Sequence, residues 1–109
     1  MALPFHHLAW QTSDDDHGRV TLEAMASRRR DDPRTAAAVE AELQQVLDWA
    51  HREFGPDPGP LDEGHAWDHD LQRHDEADGW HTVTLTLAAS PAFHAAFIER
   101  FGDPQADDD

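Results

Sequence analysis

The chain contains no cysteine, no lysine and no tyrosine. Without cysteine there can be no disulfide and no thiol nucleophile, and the redox compartment stays open. Without lysine, all eight positive charges are arginine; 23 acidic residues oppose them, for a net charge of −15. A chain this acidic is a poor direct ligand for a nucleic-acid backbone or an anionic membrane. No apolar run is long enough to span a bilayer, and Pro4, His6 and His7 interrupt the stretch where a signal peptide would need its apolar segment. The expectation is a cytoplasmic protein. At 109 residues it is expected to be one domain, residues 1–102, followed by a disordered acidic tail, residues 103–109.

Catalytic signatures are missing as well. There is no G-x-S-x-G elbow, no glycine-rich phosphate loop, no H-E-x-x-H helix and no Cys/His knuckle. Ser13, Ser27 and Ser90 sit at turn or capping positions rather than beside a base. His81 falls in an apolar register, which suits a histidine at the rim of a core better than a tuned acid–base. No catalytic residue is assigned, no cofactor is expected, and the chain reads as a non-enzyme.

What is present is a clear pattern of strands and helices. HTVTLTL, residues 81–87, alternates strictly, with Val83, Leu85 and Leu87 on one face and threonines on the other. That period of two marks a half-buried strand. Upstream, Trp67, His69, Leu71 and Arg73 share one face and Asp68, Asp70, Gln72 and His74 the other. A three-residue loop, Ala77-Asp78-Gly79, would set Leu71 opposite Leu85, His69 opposite Leu87, Trp67 opposite Ala89 and Arg73 opposite Val83. A two-residue turn would mix polar and apolar residues on one face, because a one-residue slip flips every side chain. The expected loop is a type I turn with left-handed Gly79 closing a bulge. Ser90 then caps a helix that starts with Pro91, carries Phe93, Phe97 and Phe101 in one stripe, and stops at Gly102.

The first half repeats this plan loosely. Residues 4–12 have a weak strand pattern with Leu8 and Trp10 on one face. A polar turn ends at Gly18, and Arg19–Ser27 alternates again with Val20, Leu22, Ala24 and Ala26 inward. Asp32 caps and Pro33 starts a helix reaching Phe54. Val39, Leu43, Val46, Leu47, Ala50 and Phe54 form its apolar face, and Glu40, Gln44, Asp48 and Arg52 face solvent. Proline and glycine make residues 56–64 a connector. At an offset of 61, Trp10 falls on Leu71, Gln11 on Gln72, Gly18 on Gly79 and Leu22 on Val83. The expected fold is α+β in the order ββαββα, or βαββα if the first strand is irregular. An antiparallel sheet of about four strands then carries both helices on one face.

Nine histidines, four of them between His65 and His81, raise the alternative of a small metal-binding protein. Zinc needs three or four ligands converging on one ion. A strand over residues 67–74 scatters them: His69 and His74 take opposite faces, and Asp70 and His74 lie about 13 Å apart at the usual rise per residue. No metal ligand is assigned.

Two surface features remain as candidate partner-binding sites. Arg28, Arg29, Arg30 and Arg34 place half the positive charge just before and within the first helix, where cations oppose the helix dipole. Asp68, Asp70, His74 and Glu76, with Trp80 at the end, make an acidic strip on the outer face of the second hairpin. The plainer reading of both is solvated charge that keeps the protein soluble. The functional reading is a non-enzymatic module that contacts another protein through one of them; an alternative is a nucleic-acid mimic that occupies a basic DNA-binding protein. An uncovered sheet face and free edges would also allow a homodimer.

Overall fold

In a computed structural model the chain is described for residues 8–14, 19–55, 58–59 and 61–102. The expected turn at Gly18 and the acidic tail lie outside these residues. The order is β1 (Ala9–Asp14), β2 (Val20–Arg29), α1 (Pro33–Phe54), β3 (Trp67–Glu76), β4 (Trp80–Ala89) and α2 (Pro91–Phe101), with short 3₁₀ turns over Leu61–Glu63 and Ala77–Gly79. This is the ββαββα arrangement, and residues 9–14 are strand.

The second hairpin forms in the register that its alternation requires. Trp67 pairs with Ala89, His69 with Leu87, Leu71 with Leu85 and Arg73 with Val83. The loop is Ala77–Gly79, and Gly79 has φ of 83°. Its form differs from a type I turn with a bulge, because Asp78 is also left-handed, at φ 66° and ψ 20°. Aspartate is one of the few residues that tolerates this region. The loop is also tied down from outside: the Arg30 N–H donates to the Gly79 carbonyl at 2.8 Å.

The first hairpin is the second one shifted by 61 residues. Trp10 pairs with Ala24 and Asp14 with Val20, while Leu71 pairs with Leu85 and Asp75 with His81. The two hairpins join through their second strands, giving the order β1-β2-β4-β3 with every neighbouring pair antiparallel. β2 and β4 occupy the centre, and β1 and β3 are the edges.

Both helices cover the face that carries Val20, Leu22, Ala24, Val83, Leu85 and Leu87, all buried. The caps form as their residue types dictate. Asp32 accepts from the Thr35 N–H at 3.1 Å, and Ser90 from the Phe93 N–H at 3.2 Å. Each cap is followed by proline in the first turn. Gly55 and Gly102, both at positive φ, end the helices. Phe93, Phe97 and Phe101 of α2 are buried, and all three lie against Trp49 with ring centroids 5.3–6.0 Å away. Phe93 also stacks on Trp67 at 5.5 Å and 13°, and Phe97 meets Trp10 at 5.1 Å. A fully buried aromatic of this kind contributes about 1.5–3 kcal/mol.

Trp49 is thus the aromatic hub of the core, a residue absent from the apolar face expected for α1. Glu42 is the other unexpected buried residue on α1; its Oε1 accepts from the Leu8 N–H at 3.1 Å and fastens the start of β1 to the helix. Leu47 and Phe54 are only partly buried. Among the described residues no helix is long and apolar enough to cross a membrane.

Candidate functional site

With both helices on one side, the other face of the sheet carries no covering element among the described residues. Alternation places on it Asp68, Asp70, Gln72, His74 and Glu76 from β3, and Ala88, Thr86, Thr84, Thr82 and Trp80 from β4, each directly opposite its partner. β2 adds Thr21, Glu23, Met25, Ser27 and Arg29 on the other side of β4. The middle of the face is a ladder of threonines, and its β3 side is acidic.

The described residues include two large apolar side chains that are clearly exposed, and both lie here: Met25 at 44% and Trp80 at 40%. The Arg29 guanidinium sits 5.6 Å from the Trp80 ring centroid, a cation–π contact at one corner of the face. Thr82 beside them is buried. Its hydroxyl donates to Glu76 Oε1 at 3.1 Å and lies 3.0 Å from the Ser27 hydroxyl.

The acidic strip is held by neutral donors. Gln72 donates to Asp70 Oδ2 at 2.9 Å, and the His69 N–H donates to Asp68 Oδ1 at 2.9 Å. Among the described residues no cation lies within ion-pair distance of Asp68, Asp70 or Glu76. A shallow hollow lined by Asp68, Asp70, Thr86 and Ala88 opens between the strip and the threonine ladder. The strip therefore offers carboxylates already oriented and without a counter-charge.

The arginines do not gather into one site. Arg28 and Arg29 belong to β2 and take opposite faces, and Arg30 lies in the following turn. Arg29 alone joins the open face, with its Nε 3.8 Å from Asp31. Arg34 is exposed in the first turn of α1. His74 lies on the open face opposite Thr82.

A second polar group flanks α1 on the covered side. Arg73 grips Glu40 with two bonds, of 2.6 and 2.8 Å, and its guanidinium holds the Glu40 carboxyl below the usual range. The His81 ring meets Asp75 Oδ1 at 2.5 Å and likewise lowers the Asp75 carboxyl. His81 is a rim residue, its side chain 14% exposed. Each charge here has a local partner, which makes this group structural cement rather than an open site.

No protein-family model matches the chain, and no curated protein or solved structure matches it. The site must be read from its own chemistry. His69 faces the helices and His74 the open face. The His51 and His69 ring centroids lie 6.4 Å apart. Among the described residues no group of three or more metal-ligating side chains converges.

The acidic strip and Trp80 follow directly from strand alternation. Met25 and Arg29 do not, because they join the face only through the β2–β4 pairing. Their outward register in β2 was a usable signal, but it needed the strand order.

Proposed function

We propose that the protein is a non-catalytic interaction module that binds the basic surface of another protein with its open sheet face. One observation carries this reading: the uncovered face combines exposed Met25 and Trp80 with Asp68, Asp70 and Glu76, which have no cation within ion-pair distance among the described residues. Exposed aromatic and methionine side chains rimmed by charge are the usual composition of an interface centre and its edge. The negative strip selects a positive partner and speeds encounter.

The test compares two triple variants as bait in affinity capture from source-cell extract. Asp68→Asn/Asp70→Asn/Glu76→Gln neutralises the face; Asp48→Asn/Glu53→Gln/Glu99→Gln removes the same charge from the helix side. The reading expects the first to lose a basic partner that the second retains, and expects wild-type capture to weaken as salt rises. Equal loss from both variants, or capture indifferent to salt, would contradict it.

A further inference from the structure

Beyond the face itself, the outer edge of β3 is built to accept another strand. Proteins guard such edges with proline, charged side chains, bulges, short strands or a covering loop. β3 has ten residues, no proline, no lysine and an unbroken register against β4. It is a long, regular edge whose charges are four carboxylates against one arginine, which repels a second acidic strand but not a basic one.

Three hydrogen bonds show which backbone groups point outward. The Ala66 carbonyl accepts from the Ser90 N–H, so even-numbered residues bond toward β4. The Trp67 carbonyl accepts instead from the Gly59 N–H, and the His69 N–H donates to Asp68, so odd-numbered residues face away from the sheet. Those two contacts close the upper end. The His69 carbonyl and the N–H and C=O groups of Leu71, Arg73 and Asp75 form the open run. The β1 edge differs: it has six residues, and Glu42 already takes the outward N–H of Leu8.

We infer that this run binds an extended peptide of a partner protein by strand addition, the peptide alternating basic and apolar residues. This rests on the proposed basic partner and names the element that would contact the module. Alternation in an added strand sends every second side chain to the open face, beside Asp68, Asp70 and Glu76. Arginine or lysine there meets carboxylates that have no counter-charge among the described residues. The intervening side chains lie on the helix side near Leu71. That flank is shouldered by α1, whose Glu40 holds Arg73 and whose His51 ring lies 5.2 Å from Trp67. Leu47 shares the helix flank of Glu40 and His51 by its spacing and, like Leu71, is only partly buried, so apolar residues suit this side. A second copy is a poor occupant, because β3 against β3 would bring the carboxylate strips of both chains together.

The test uses the wild-type protein and two synthetic peptides of about eight residues, a common strand length. One alternates arginine and valine; the other is identical but N-methylated at alternate positions along its pairing edge. Amide exchange is followed by NMR. Strand addition predicts slower exchange at Leu71, Arg73 and Asp75, with Gln72 and His74 unchanged, and at least tenfold tighter binding of the unmodified peptide. Equal binding of both peptides would overturn strand addition while leaving the charged face as the contact. Binding by neither would overturn it too, and the capture experiment would then decide the face separately. Slowing of the same amides by raising protein concentration alone would assign the edge to a second copy and also overturn the inference. A Leu71→Pro variant removes one outward N–H without removing a β3–β4 bond, and is expected to abolish the difference between the peptides.

Discussion

Arg29 and Trp80 meet across the β2–β4 ladder, guanidinium over ring at 5.6 Å, on the face that neither helix covers. The contact joins the two halves of the sheet at its exposed corner, so the ring serves as a surface feature more than as part of the core. Trp80→Ala should therefore cost less than about 1 kcal/mol of stability, the scale of an exposed cation–π pair. Chemical denaturation of the variant checks this, and a larger loss would make Trp80 a core residue.

Trp49 gives the opposite expectation. It touches all three buried phenylalanines of α2, so Trp49→Ala should destabilise by about 3–5 kcal/mol. A loss under about 1 kcal/mol would mean that α2 does not depend on α1 for its packing.

The caps offer a finer test. Ser90→Ala removes the side-chain acceptor of the Phe93 N–H, and Asp32→Ala that of the Thr35 N–H. Each should lower stability by about 1 kcal/mol, while Gly in either position should cost only a few tenths. Since the two residues cap separate helices, the double variant should show near-additive loss.

Acid sensitivity follows from three carboxyls held below their ordinary range: Asp32 by the Thr35 hydroxyl and N–H, Glu40 by Arg73, and Asp75 by His81. A depressed native value means that the unfolded chain takes up the proton first. The contribution of each group is complete above the ordinary carboxyl range and is lost as pH falls through the native value. Thermal midpoints should therefore drop below about pH 4. Glu40→Gln should make that acid limb shallower; an unchanged limb would remove the Arg73 pair from the account. The effect should be small, because both side chains are about half exposed.

How far the sequence could be read depended on whether a feature was local. The register of Trp67–Glu76 against Trp80–Ala89 was legible because a slip of one residue would have turned Leu71 and Trp67 outward. Both helices were legible from Asp32-Pro33, Ser90-Pro91, Gly55 and Gly102. The β2–β4 pairing was not, since it joins residues about 60 apart with no turn to specify it. With it went the neighbourhood of Met25, Arg29 and Trp80, and the identity of the free edges. Asp78 joins Gly79 in the left-handed region in a loop that also docks on Arg30, a tertiary contact that local turn chemistry does not report. Trp49 was within reach: it lies three residues after Val46 and seven after Glu42, on the same helical stripe.

The central claim is that the open face, rather than the helices, meets a partner. Hydroxyl-radical footprinting of the protein with its captured partner tests this most directly, because Met25 and Trp80 are oxidisable and exposed. The account predicts that both are protected in the complex while helix-side residues such as Glu53 and Arg100 react as before. Unchanged oxidation of Met25 and Trp80, with protection along the helices, would contradict it.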